Sequence, residues 1–160
     1  MANFSAPVLA NAVTTTFKTG GFLWGGGTKR AMIYEVEMGQ TAAYASTDAP
    51  VQWDLSRAVT AGMAGTTVAS NLLDPGDYVA ATLFMQACTT EPTAYTTAGN
   101  GLNLKQWGIN QRGSYRWRAL DDGDNILIPQ TLGVGCGLRV ASIASGFNGS
   151  ALGTLAFIER

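Results

Sequence analysis

Apolar and polar residues alternate along most of this chain with a period of two, and short breaks separate the alternating runs. In KRAMIYEVEM, residues 29–38, Met32, Tyr34, Val36 and Met38 fall on one face and Ile33, Glu35 and Glu37 on the other. VQWDLSRAV, residues 51–59, sets Val51, Trp53, Leu55 and Arg57 against Gln52, Asp54 and Ser56. SYRWRAL, residues 114–120, sets Tyr115, Trp117 and Ala119 against Arg116 and Arg118. GLNLKQWGI (101–109), NILIPQ (125–130), GLRVASIAS (137–145) and LGTLAFIER (152–160) continue the series. A period of two is that of a strand with one face buried. DYVAATLFMQAC, residues 77–88, is almost continuously apolar and fits a buried strand or a short helix, with the extended form preferred.

The breaks carry turn chemistry. GGFLWGGGTK, DPGD, AGNGL, NQRGS, LDDGDN and GFNGS place Gly, Asn, Asp or Pro where the backbone must reverse. Short strands at regular spacing between such turns predict an all-β protein, a single-domain antiparallel β-sandwich with jelly-roll topology. Residues 1–27 read as an N-terminal arm or as a first strand over residues 12–17, and residues 28–160 as the jelly roll. The glycines at positions 20, 21 and 25–27 would give such an arm its reach. Phe4, Val8, Leu9 and Val13 are then expected to contact the outer sheet or a neighbouring subunit.

Composition narrows the chemistry. The chain has 160 residues, the length of about one domain. Charged residues make up 13%, against about 25% in an average soluble domain, and the net charge is −1. Nothing in that balance attracts nucleic acid or an anionic membrane, and no run approaches the length of an apolar membrane span. The N-terminus lacks the basic and apolar regions of a secretory signal. Low charge with many small side chains suits surfaces covered by neighbours, so a homo-oligomer is expected, a trimer first.

There is no histidine, which removes the commonest general base and the commonest transition-metal ligand. Cys136 in GVGCGL therefore has no usual base, and a small buried residue is the simpler account; no GxSxG elbow exists either. Cys88 and Cys136 are too few for a disulfide framework, and free thiols are expected. Asp121, Asp122, Asp124 and Asn125 offer oxygen ligands, but Leu132 stands where a calcium loop needs its bidentate Glu, so a turn is the better reading. No enzyme activity, cofactor or metal is expected. WGINQRGSYRWR, residues 107–118, interleaves aromatics with Arg112, Arg116 and Arg118. Alternation puts the arginines opposite the rings, which favours a core face with a charged outer face over a stacking platform for single-stranded nucleic acid; that Arg face could still pair with a partner's carboxylates. Trp53 and Trp117 alternate in phase with apolar neighbours and are expected in the core.

The run WRAL-DDGD-NILIPQTLGVGCGL-RVASI, followed by ALGTLAFIE near the C-terminus, resembles the small jelly-roll structural proteins of tailed bacteriophage virions. The resemblance covers residues 28–160. It implies a head decoration, cement or minor capsid protein, bound to the major capsid protein or a neighbouring virion protein and assembled in the host bacterial cytoplasm. Contact residues on this reading are Phe4, Val8, Leu9, Arg112, Arg116 and Arg118. The alternative is a carbohydrate-binding jelly-roll module on a virion fibre or tail, with exposed tryptophans as its platform.

Overall fold

The alternating runs become strands in a computed structural model that describes residues 2–41, 48–94, 103–143, 147 and 149–160. In chain order they are β1 (Ala2–Ala10), β2 (Lys18–Trp24), β3 (Ala31–Gln40), β4 (Pro50–Val59), β5 (Ala64–Val68), β6 (Asn71–Leu72), β7 (Leu83–Thr90), β8 (Thr93–Ala94), β9 (Asn103–Asn110), β10 (Tyr115–Arg118), β11 (Ile126–Ile128), β12 (Val134–Ser142) and β13 (Ala151–Glu159). The described residues contain no helix. The strands form two antiparallel sheets packed face to face, a β-sandwich. One runs β10-β3-β13-β1-β6, with β11 also on β3. The other runs β5-β7-β2-β12-β4-β8, with β9 also on β4. The turn expected at AGNGL lies outside the described residues, as does part of GFNGS.

The core is what the alternation promises. Phe4, Val8, Val36, Leu155 and Phe157 come from the first sheet, and Leu23, Trp53, Leu55, Phe84, Leu138 and Val140 from the second; all are buried. Phe4 stacks on Phe157 at 5.2 Å between ring centroids. Trp107 and Trp117, on edge strands of opposite sheets, meet at 6.1 Å and close one side of the sandwich. Trp53 is fully buried and Trp117 partly so.

Three local readings are corrected. The strand expected over residues 12–17 does not form. Ala12 takes φ 50°, Val13 donates to the Gly149 carbonyl at 2.8 Å, and the segment passes from one sheet to the other. Residues 1–27 thus place β1 in the first sheet and β2 in the second. Within residues 77–88 only the part from Leu83 is strand; the preceding loop is tied to Glu159 at the end of β13. Strict alternation fails in β3, because the β3–β13 register slips between Ala156 and Phe157. Ile33 pairs with Phe157 and Glu35 with Ala156, so Tyr34 is the extra residue of a bulge. Ile33 therefore turns inward, fully buried, while Tyr34 is half-buried.

Candidate interaction face and the buried polar network

The arginines of β10 stand on the outer face of the first sheet. Arg116 lies opposite Glu37 and Arg118 opposite Glu35 across the β10–β3 ladder. Arg116 Nη2 donates to Glu35 Oε2 at 2.7 Å, and its Nε lies 3.5 Å from Glu37 Oε1. Arg118 Nε is 3.8 Å from Glu35 Oε2. Two cations thus meet two carboxylates, and the patch is polar but close to neutral. Burial raises the Tyr34 phenol above its ordinary value, and the Glu35 charge beside it adds to the shift. The hydrogen bond it donates to Glu35 raises the Arg116 guanidinium, so it stays charged.

Next to this ladder the same face turns apolar. Leu152 and Leu127 are exposed, Ile158 and Leu9 half-buried. Leu9 pairs with Leu152, and Met32 sits between Leu127 and Ile158, so these side chains form rows across strands. Two clefts open here. One, of ≈ 470 Å³, runs from Arg116 and Tyr115 to Leu152. The other, of ≈ 510 Å³, lies between Tyr34, Arg118, Leu120 and Ile158.

Of the residues expected at an interface, the fold brings Leu9, Arg116 and Arg118 onto this one face. Phe4 and Val8 are 0% and 1% exposed and belong to the core, so neither can reach a partner from the folded chain. Alternation along β1 puts Phe4, Ala6 and Val8 on the face that packs against the second sheet. Arg112 sits in the turn after β9, where its Nε bonds Asp48 Oδ1 at 2.7 Å; that bond holds the Asp48 carboxyl below its usual range.

Other candidates become structural. Cys136 and Cys88 are free and buried, and burial pushes their thiols up to about 12 and about 11. Asp121 spends its Oδ1 on the backbone N–H groups of Gly123 (2.7 Å) and Asp124 (3.3 Å), the bonding of an Asx turn.

Sequence reasoning missed a polar network on the outer face of the second sheet. Asp54 is fully buried and takes a two-pronged contact from Arg139: Nε to Oδ1 and Nη2 to Oδ2, both 2.8 Å. Ser56 Oγ lies 2.8 Å from Asp54 Oδ1 and from Asn103 Oδ1, and Arg139 Nη2 donates to it at 3.0 Å. The Arg139 guanidinium also lies over the Phe17 ring, 4.9 Å from its centroid. A second buried carboxylate, Glu159, accepts from Ala81 N (3.0 Å), Thr82 N (2.6 Å) and Thr82 Oγ1 (2.6 Å). The partners are 85 and 78 or 77 positions apart, beyond any local pattern. No protein-family model matches this chain, and no curated protein matches it.

Proposed function

We propose that this chain is a jelly-roll structural protein of a bacteriophage virion, one that decorates or cements the capsid through the outer face of its first sheet. The observation that carries the reading is that face itself. A charge-neutral Arg/Glu ladder lies beside the exposed Leu127 and Leu152 and the half-buried Leu9 and Ile158, the mix of apolar and paired polar groups that protein interfaces use. The partner is the major capsid protein or a neighbouring virion protein, with self-association, a trimer first, as the accompanying expectation.

Strand order supports the jelly-roll assignment. Set β5 to β8 and β11 aside and number β1, β2, β3, β4, β9, β10, β12 and β13 in turn. One sheet then runs first, eighth, third, sixth, and the other second, seventh, fourth, fifth. That is the order of two nested Greek keys, an arrangement frequent in viral capsid proteins and lectins. β5 to β8 fall between the fourth and fifth of these strands and widen both sheets.

The test is co-sedimentation of the purified chain with particles from the cells that make it. The double variant Leu152→Asp, Arg116→Glu should lose binding while keeping its melting temperature. Binding that survives the variant removes this face from the reading. The alternative with tryptophan platforms is left with the half-buried Trp107 and Trp117, which pack on each other, since Trp53 is fully buried and Trp24 is 8% exposed.

A further inference from the structure

We infer that a cleft over the outer side of the second sheet binds a neutral, hydroxyl-rich ligand the size of a single sugar ring. The cleft measures ≈ 290 Å³, at the small end of the range for small-molecule sites. Its floor lies where β4 and β12 run side by side and carries small residues, Ser56, Ala58 and Gly137. Phe17 and Pro92 give it apolar walls. Arg139, Asn103 and Glu91 give it polar ones.

Each polar group is held in place by a bond on its far side. Buried Asp54 fixes one edge of the Arg139 fork, and Nη1 has no acceptor among the described residues. Asn103 Oδ1 lies 3.3 Å from Arg139 Nη2 and 2.8 Å from Ser56 Oγ, which sets the amide orientation. Its NH₂ has no acceptor among the described residues. Both Glu91 oxygens accept from the Thr19 backbone N–H, at 3.1 and 3.0 Å, and one also from its hydroxyl. A carboxylate has about four acceptor sites, so capacity remains. The result is two preset donors and one preset acceptor beside an aromatic ring.

Hydroxyl groups both donate and accept, so a polyol answers all three, and the C–H face of a sugar ring suits Phe17 and Pro92. Charge selects the neutral form. Asp54 cancels Arg139, and the two remaining charged lining residues, Glu91 and Arg57, are of opposite sign, so the site has no net charge to draw in carboxylates or phosphates. The inference does not rest on the docking face, which lies on the opposite sheet.

The experiment is saturation-transfer NMR on the full chain with free glucose, galactose, mannose and N-acetylglucosamine, and with glucuronic acid as the anionic counterpart of glucose. At least one neutral sugar should show transfer. Asn103→Ala, an exposed position, should weaken it about tenfold, the loss of one hydrogen bond, in a chain that circular dichroism shows to be still folded. Phe17→Ala should weaken it as well. No transfer from any neutral sugar would overturn the inference. So would transfer that both variants leave intact, or glucuronic acid binding more tightly than glucose.

Discussion

Asp54 looks like a solvent-facing residue when its neighbours are read in order, because Trp53 and Leu55 flank it and point inward. It does leave the core, but onto an outer face where it pairs with Arg139 and Ser56 and is fully buried. The two partners differ in exposure, and that sets an asymmetry. The Arg139 side chain is 30% exposed and can turn to water if Asp54 is removed; Asp54, at 0%, has no such escape. Arg139→Ala should therefore cost about 3–5 kcal/mol, the range for an uncompensated buried charge, and Asp54→Ala only about 2 kcal/mol. Urea denaturation of both variants checks the order. The thiols give a pH signal. Burial lifts Cys88 to about 11 and Cys136 to about 12 from 9.0, so the folded chain holds these protons more tightly than the unfolded one. Their contribution to stability is complete below pH 9.0 and is lost as pH rises through 11 to 12. The melting temperature should fall across that window, and less steeply in Cys136→Ala. Near neutral pH neither thiol should react with a thiol reagent until denaturant is added.

Among elements, β12 shows why the glycines of GVGCGL are there. It is a central strand with β2 on one side and β4 on the other. A Cβ on Gly135 would lie 2.0 Å from the Leu23 carbonyl oxygen, a backbone atom that moves only if the strands separate. A Cβ on Gly137 would meet side-chain atoms of Phe22 and Thr19 at 3.2 and 3.3 Å, which can give. Gly135→Ala should then lose about 3 kcal/mol or more, and Gly137→Ala about 1 kcal/mol, read as shifts of the urea midpoint. The alternation of β3 was legible in the sequence, but its bulge was not. A bulge is an extra residue relative to a partner strand, and β13 lies more than a hundred positions away.

At the scale of the whole molecule, the first residues are structural rather than peripheral. β1 sits between β13 and β6 and brings Phe4, Ala6 and Val8 into the core. Deleting residues 2–11 removes an interior strand, exposing the hydrogen-bonding edge of β13 and the inner face of β2 and β7. The truncated chain should be insoluble or lack the strand signal in circular dichroism. A soluble, folded product would show that the rest of the sandwich closes without it. The two outer faces differ in kind. One offers short apolar rows and a neutralised charge ladder, and the other a small cleft over a fixed polar network.

The sequence by itself determined the all-β class, the position of most long strands and which side chains turn inward along them, because a strand's period of two is local. It also marked Arg116 and Arg118 as outward-facing opposite Trp117, from four consecutive residues. The tertiary structure alone decided that Phe4 and Val8 are core, that Leu9 shares a face with Arg116, and that Asp54 meets Arg139. Those outcomes depend on which strands become neighbours. Neighbours in a sandwich are chosen by the closure of the whole core, not by any segment read alone.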